Sequence, residues 1–333
     1  MKCNTQIEDN RDKKETKGLM HSVCIKQHGR VMAETKEHNK EKLITAGGQA
    51  VIEGVMMRSQ NSIAIAVRRP DRKICVKKQR LRPVSGRRYL GFLKWPFLRG
   101  TANLIEMLVV GIKALNYSAN VALEEDEEET SIFQMVLSLA LALFFAVLLF
   151  KFLPLLIAQF FYDKIDFVRG HYLIFNFIDG SIKIILFVLY ILAISLMKDI
   201  RILFAYHGAE HAAVNCYEAK KKLTFENIRQ FTTLHPRCGT SFLIIVLFVS
   251  IFIYTFIPQG YSFALKFALR LLLLPVIAGI SYEILRLAGR YRENLFLRIA
   301  VFPGMVIQRL TTRKPNRKQI EAAVAALKAV LDK

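Results

Sequence analysis

The chain has 333 residues, 53% of them hydrophobic, and its 48 Lys and Arg against 27 Asp and Glu give a formal net charge of +21. This hydrophobic content is concentrated in long uncharged runs, which excludes an ordinary soluble domain and an intrinsically disordered chain. The five Cys residues are scattered, so we expect a reducing compartment and no disulfide framework.

The N-terminal part divides into a polar arm and a segment with strand-like patterning. Residues 1–42 are charged and without periodicity, which predicts a disordered arm, and they lack the apolar core of a signal peptide. Residues 43–94 contain three runs that alternate or are continuously apolar, at 49–57, 62–67 and 74–79. We therefore predict a small β-meander of three or four strands.

This β-rich segment is strongly basic. Between residues 43 and 100 there are thirteen Lys or Arg and only two acids, Glu53 and Asp71. The charge fits anionic lipid headgroups, RNA or the ribosome, or a solvated basic surface that serves membrane topology. Aromatic residues are sparse in the predicted strands and no nucleic-acid motif is present, so we favour anionic lipid as the partner over nucleic acid.

The rest of the chain is predicted to be helical. Residues 95–130 read as an interfacial amphipathic helix and an acidic linker, and residues 289–333 as a basic tail with an amphipathic helix at 316–331. Between them, residues 131–288 form the predicted transmembrane bundle, with four apolar segments at 132–150, 172–197, 241–257 and 262–287. The third segment is short and the fourth begins with charges, so a hairpin that crosses only partly is the alternative.

These elements define the expected fold class, a membrane α-helical bundle of about four transmembrane helices with a small basic β-rich N-terminal cytoplasmic domain. Both ends of the chain and the loop at residues 198–240 are rich in Lys and Arg. The positive-inside rule therefore places both termini and this loop in the cytoplasm.

The loop contains the most informative motif, an H-x-x-E-H arrangement formed by His207, Glu210 and His211. Residues four apart share one helix face, so both imidazoles can bind one ion, and in inverted zinc proteases the Glu of this motif is the general base. His235 and Cys238 add two candidate ligands, so four fall within 32 residues. Imidazole with thiolate favours zinc. The alternative is that these His residues only hydrogen-bond at a membrane interface.

Three polar residues in the apolar segments need an explanation as well. Glu283 follows His211 by 72 residues at the same predicted membrane face and is a candidate metal ligand, although pairing with Arg286 or Arg290 is the more ordinary role. Asp179 and Lys183 are four residues apart in the second span. They predict an ion pair, or alternatively a substrate or proton path of a transporter.

Four motifs, at residues 47–57, 206–211, 235–242 and 275–284, resemble those of the YqhQ-like family, bacterial membrane proteins described as predicted metal-dependent enzymes. The likeness runs from about residue 45 to about residue 330. It implies a multipass protein of the bacterial cytoplasmic membrane with a cytoplasmic His/Glu/Cys cluster. One departure is Ala212, where a basic residue is common in the family.

Two functions follow from these patterns. In the first, zinc is held by His207, His211 and His235 with Cys238 or Glu283 as fourth ligand, and Glu210 activates water to hydrolyse a peptide or lipid-linked substrate. A site filled by three His and Cys238 would be closed, however, and closed zinc sites are structural. The alternative is therefore a non-enzymatic membrane scaffold or assembly factor with a structural metal and a basic domain that binds anionic lipid or RNA.

Overall fold

The computed structural model describes residues 21–24, 46–81, 98–123, 132–258, 260–291 and 293–332. The strands are β1 (His21–Cys24), β2 (Gly47–Val51), β3 (Gly54–Arg58), β4 (Ser62–Arg68) and β5 (Ile74–Arg80). The longer helices are α1 (Leu98–Leu123), α2 (Ile132–Val147), α3 (Leu153–Lys164), α5 (Tyr172–Ser195), α6 (Lys198–Glu218), α8 (Gly239–Tyr254), α9 (Phe263–Leu272), α10 (Leu274–Arg290), α11 (Leu295–Thr311) and α12 (Arg317–Leu331). Two short helices are α4 (Asp166–Gly170) and α7 (Phe225–Ile228), and a π-helical turn, Leu148–Phe152, joins α2 to α3.

The strands form one antiparallel sheet in the order β1-β5-β4-β3-β2. The meander predicted for residues 43–94 is present as β2 to β5, in which each strand pairs with the next. Four residues of the predicted disordered arm, His21–Cys24, form β1 on the β5 edge. The rest of the arm, residues 82–97 and the acidic run at 124–129 lie outside the described residues.

Both faces of the sheet are covered by helices. Alternate residues of β4 point to opposite faces, as the pleat requires, so Ile65 packs towards α1 whereas Ala64 and Ala66 pack towards α6 and α12. The facing residues of α12 include Ala322 and Ala326, and small side chains on both partners let the helix lie close to the sheet. The sheet therefore shares its core with helices from the middle and the end of the chain.

Helix α12 is the amphipathic helix predicted at residues 316–331, and it begins with a capping box. The Asn316 side chain accepts hydrogen bonds from the backbone N–H groups of Lys318 and Gln319, and the Asn316 N–H donates to Gln319 Oε1 at 2.7 Å. This arrangement satisfies backbone donors that the helix cannot pair internally.

Loss of the cap is expected to loosen α12 on the sheet. We expect Asn316→Ala to destabilise the protein by about 1 kcal/mol, because two backbone N–H groups lose their acceptor. The measurement is the thermal unfolding midpoint of detergent-solubilised protein, which should fall by about 1.5 °C. Lys318→Ala, a neighbouring exposed position, is the matched control and should leave the midpoint in place. An equal fall in both variants would contradict the capping role.

Among the described residues, three helical segments are long and apolar enough to cross a membrane, Arg99–Leu123, Val136–Lys164 and Leu173–Ser195. A fourth is counted if α9 and α10, which meet at a bend of 42°, form one broken span. The second and third segments match the first two predicted spans. The predicted third span is α8, a helix of 16 residues, shorter than the roughly 20 residues that a membrane crossing requires. These helices are compatible with a multipass membrane protein.

Helix α1 qualifies as a span by length and composition, although the sequence predicted an interfacial helix. Its mean hydropathy is 1.2, against 2.6 and 2.2 for the other two segments. Ala114 is buried in the core that α1 shares with the sheet, and Ser118 accepts a hydrogen bond from the Ile52 N–H at 3.1 Å. One side of α1 thus packs against the sheet, whereas several of its large apolar side chains, among them Ile105, Leu108 and Val109, are exposed.

Candidate metal centre

Helix α6 carries the H-x-x-E-H motif. Most of its C-terminal half is buried between the sheet, α12 and the segment that follows α6 in the chain. His207 and His211 lie one turn apart on the same side of the helix, and their ring centroids are 4.4 Å apart. His211 is buried, whereas His207 is half-buried. The i, i+4 spacing therefore brings two imidazoles together, as the sequence predicted.

A thiol from another helix completes the group. Cys238 is the N-cap residue of α8, where its Sγ accepts from the Thr240 N–H at 3.5 Å. The Sγ lies 3.2 Å from His207 Nε2, and ligand atoms of His207, His211 and Cys238 all lie within 4.8 Å of one another. The amino end of a helix favours negative charge, which suits a sulfur that must ionise to bind a metal.

The two histidine rings are oriented by backbone carbonyls. His207 Nδ1 donates to the Thr311 carbonyl at 2.8 Å, and His211 Nδ1 donates to the Thr233 carbonyl at 2.6 Å. A carbonyl only accepts, so each Nδ1 carries a proton and each Nε2 is left as the ring atom that can bind a metal. This is the arrangement by which proteins hold metal-binding His. Neither Thr residue could be recognised from the sequence, because the acceptor is a backbone carbonyl and leaves no side-chain signal.

Gly208 explains how the Thr311 carbonyl comes so close to α6. A Cβ at this position would lie 2.0 Å from the Arg313 backbone oxygen, and the Arg313 N–H donates to the Phe204 carbonyl at 2.9 Å. The segment after α11 therefore lies directly on the helix backbone. A glycine in the middle of a helix costs stability, and its presence between the two His residues is the one sequence sign of this close contact.

Glu210 is buried beside His207 and is held by the sheet. Its Oε1 accepts from the Gly48 N–H of β2 at 2.9 Å. Burial raises the pKa of Glu210 to about 6, although nearby His207 and the Gly48 hydrogen bond both favour the ionised form. A Cβ on Gly48 would lie 2.0 Å from the Met56 carbonyl, so this approach also requires glycine.

A second contact joins the same two motifs. The Tyr206 hydroxyl donates to Glu53 Oε2 at 3.0 Å, and burial raises the pKa of Tyr206, which keeps its proton in place. Glu53 adopts a positive φ of 50° in the β2–β3 turn, a conformation that costs energy for a residue other than glycine. Residues 47–57 and 206–211 thus form one structural unit, although they are far apart in the chain.

His235 lies next to the group of three but is turned away from it. Its ring centroid is 5.7 Å from that of His211, and its Nδ1 accepts from the Arg237 N–H at 3.3 Å. Its Nε2 faces Glu218 Oε2 at 3.5 Å without a hydrogen bond, and burial lowers the pKa of His235, so the ring is neutral at pH 7. The buried Gln308 side chain fixes the His235 backbone through both its N–H (2.8 Å) and its carbonyl (2.9 Å).

Glu283 is occupied elsewhere. Arg99 donates to its two carboxylate oxygens, from Nε at 2.7 Å and from Nη2 at 2.6 Å, and Arg286 lies 3.8 Å away. This pair joins α10 to α1. Among the described residues, the structure brings together His207, His211 and Cys238 but neither His235 nor Glu283.

Comparison with known proteins identifies relatives over the part of the chain that contains the candidate ligands. The family model described as "Protein of unknown function (DUF1385)" matches residues 95–333, which include every candidate ligand but not the strands. The chain is 35% identical over 299 residues to "Uncharacterized protein YqhQ" of Bacillus subtilis (strain 168), and this match covers 86% of the chain and 92% of the relative. No solved structure matches.

Proposed function

The chain belongs to the DUF1385 family, and from this premise we propose that it is a membrane protein in which His207, His211 and Cys238 bind one divalent metal ion for hydrolysis at the membrane surface. The observation that carries the proposal is the convergence of these three ligand atoms within 4.8 Å. The proposed metal is zinc, because imidazole and thiolate together bind zinc in preference to magnesium or calcium.

The donor set fits such an ion in a second respect. Both Nδ1 atoms are occupied by the Thr311 and Thr233 carbonyls, so the two free Nε2 atoms and the Cys238 sulfur are the atoms left to bind. Rings held in this way need no rearrangement of tautomer on binding. Three protein ligands are also the usual number in catalytic zinc sites, whereas structural sites have four.

Glu210 is the proposed general base. One of its oxygens is fixed by the Gly48 N–H, and a pKa of about 6 suits a group that must accept a proton from water near neutral pH and release it again. A divalent ion at such a site supplies Lewis-acid polarisation of a carbonyl or phosphoryl oxygen. We propose a peptide or a lipid-linked substrate, because the site adjoins the apolar helices.

The rival proposal is a scaffold protein with a structural metal. It is favoured by His235, whose buried Nε2 has no hydrogen-bond partner and whose ring lies 5.7 Å from that of His211. A turn of this ring would supply a fourth ligand and close the site. The two proposals therefore differ in whether His235 is needed for metal binding.

We further propose that the protein lies in the bacterial cytoplasmic membrane with both termini and the metal centre on the cytoplasmic side. The basic residues of the sheet would then face anionic lipid headgroups. Two of them, Arg58 and Arg68, are paired with Glu106 and Glu321, which leaves exposed positions such as Arg72 for the lipid surface.

Metal content by elemental analysis tests the proposal. For protein purified in detergent without chelators, we expect one zinc per chain in the wild type and in Glu210→Gln, and loss of the metal in His207→Ala and Cys238→Ser. Serine keeps the size and the capping role of Cys238 but binds zinc far less well than a thiolate. The hydrolytic site also predicts that His235→Ala keeps its metal.

The matched controls are His171→Ala and Cys75→Ser, at an exposed His and a half-buried Cys away from the site. Both should keep the metal. Loss of zinc in His235→Ala would favour the closed, structural site and the scaffold. No stoichiometric metal in the wild type would overturn both proposals.

A further inference from the structure

A second group of polar side chains is buried among the apolar helices, well separated in sequence from the metal ligands. Asp179 and Lys183 on α5 are each 1% exposed, and Arg270 and Lys266 on α9 are 3% and 4% exposed. Lys151 reaches the same region from the π-helical turn. We call Lys151, Lys183, Lys266 and Arg270 the cationic cluster.

One carboxylate oxygen serves two of these cations. Lys183 Nζ lies 2.5 Å from Asp179 Oδ2, and Arg270 Nη1 lies 2.8 Å from the same atom. The ion pair predicted for Asp179 and Lys183 is therefore present, with a third member from α9. Among the described ion pairs, Asp179 is the one acid that pairs with a member of the cationic cluster. One negative charge therefore compensates four positive ones.

The other two cations have neutral hydrogen-bond acceptors. Lys266 Nζ donates to Gln159 Oε1 at 3.3 Å, and Lys151 Nζ donates to the Tyr254 hydroxyl at 3.4 Å. Asp163 also interacts electrostatically with Lys266, but it is exposed and its carboxylate accepts a hydrogen bond from Gln159 Nε2. The cluster thus has an excess of positive charge in an apolar setting.

Aromatic rings line the cluster but supply no net negative charge. The Tyr254 ring centroid is 4.8 Å from the Arg270 guanidinium and 4.9 Å from Lys183 Nζ. The Phe175 ring centroid is 5.3 Å from Lys266 Nζ. Such contacts stabilise each cation modestly, and they leave the excess charge uncompensated.

Several polar atoms in the cluster are buried without a hydrogen-bond partner. They are Arg270 Nε, Arg270 Nη1 and Asp179 Oδ1, although Nη1 is within ion-pair distance of Asp179. Arg270 Nη2 donates to Asn176 Oδ1 at 3.3 Å. Arg270 Nε–H is therefore a buried charged donor without an acceptor, and an oxyanion would supply one through a charge-assisted hydrogen bond.

The helices that carry the cluster are irregular where the cations lie. Lys151 is within the π-helical turn, and Arg270 lies one turn before the 42° bend between α9 and α10. Irregular turns of this kind occur often at functional sites, because they redirect a side chain that a regular helix would place elsewhere.

We propose that the cationic cluster binds a phosphate group, either that of an anionic lipid that enters from the bilayer or free phosphate. Burying several cations against a single carboxylate is costly, and an anion with several oxygens offsets that cost while it provides an acceptor for Arg270 Nε. Asp179 orients Lys183 and Arg270, while Lys151 and Lys266 hold no carboxylate partner among the described contacts. The proposal is independent of the metal centre.

Ligand-dependent thermal unfolding of the full chain in a neutral detergent tests the site. The probes are inorganic phosphate, with chloride at equal ionic strength as reference, and phosphatidylglycerol added to the micelles. We expect at least one probe to raise the unfolding midpoint saturably, on the order of 5 °C. A response to phosphatidylglycerol alone identifies the lipid as source, and a response to inorganic phosphate identifies a small anion.

Two variants keep the test specific. Arg270→Gln should abolish the response, and Lys266→Gln, which leaves the Asp179 pairs intact and so should still fold, should weaken the apparent affinity at least tenfold. Lys164→Gln, at an exposed position on α3, is the matched control and should respond like the wild type. The proposal is overturned if neither probe raises the midpoint, or if Lys266→Gln responds like the wild type.

Discussion

Replacing Gly208 with Ala is expected to displace the Thr311–Arg313 segment from α6 and to abolish the proposed metal binding. The new Cβ would lie 2.0 Å from the Arg313 carbonyl oxygen, and the neighbouring atom belongs to the backbone, which cannot rotate away as a flexible side chain would. The segment must therefore shift, and with it the Thr311 carbonyl that holds His207 Nδ1.

The expected cost is about 3 kcal/mol, at the upper end for overpacking of a well-packed site. In a protein of this size it corresponds to a fall of roughly 4 °C in the unfolding midpoint. Both this midpoint and the metal content of the purified variant should be measured. Gly170→Ala is the matched control, because a Cβ there meets nothing within 4 Å. An unchanged midpoint with full metal content in Gly208→Ala would contradict the close contact.

Removal of Asp179 is expected to be the most damaging change in the apolar bundle. Its carboxylate is the shared partner of Lys183 and Arg270, so Asp179→Ala leaves both cations buried without a counter-charge. Breaking a buried ion pair by removing one partner typically costs about 3–5 kcal/mol. We expect the unfolding midpoint to fall by roughly 4–7 °C, or the yield of folded protein to collapse.

The matched control for this change is Asp163→Ala, which removes an exposed acid from α3 in the same bundle. It should shift the midpoint by less than about 2 °C, as surface substitutions do. A third variant, Asp179→Asn, keeps a hydrogen-bond acceptor but removes the charge and should fall between the two. Wild-type stability of Asp179→Ala would show that the cations do not depend on this carboxylate.

The sequence was most informative where the relevant spacing is local. The i, i+4 spacing of His207 and His211 puts both rings on one helix face whatever surrounds the helix, and the capped α12 is equally local. Cys238 and His235 lie three residues apart, and sequence offers no means to choose between them. The choice depends on Gln308, some seventy residues later, which fixes the His235 backbone.

Long-range partners were beyond prediction for the same reason. The pairing of Glu283 with Arg99 depends on the packing of α1 against α10, and nothing near Glu283 in the chain indicates it. The hydrogen bond from the Gly48 N–H to Glu210 was likewise not predictable, because the two residues are 162 positions apart in the chain. The motif alone indicated only a general base. The motif suggested chemistry, and the structure adds that the same carboxylate holds the sheet on α6.

The sequence of the strand at residues 62–67 also indicates that both faces of the sheet are buried. The predicted strand at residues 62–67 reads Ser-Ile-Ala-Ile-Ala-Val, without the polar residues that a strand with one solvated face would show. A continuous apolar strand indicates burial on both faces. This pattern is consistent with a sheet that helices cover on both faces. It is not typical of a domain that is complete within residues 43–94.

The position of α12 on the sheet also sets an order of events during synthesis. Strands β2 to β5 leave the ribosome long before the helix that covers one of their faces, which ends at Leu331, about 250 residues further along. At a synthesis rate of roughly 5–20 residues per second, the strands are complete roughly ten to fifty seconds before α12 is. During that interval the apolar face of the sheet that α12 later covers has no helix from the end of the chain to pack against.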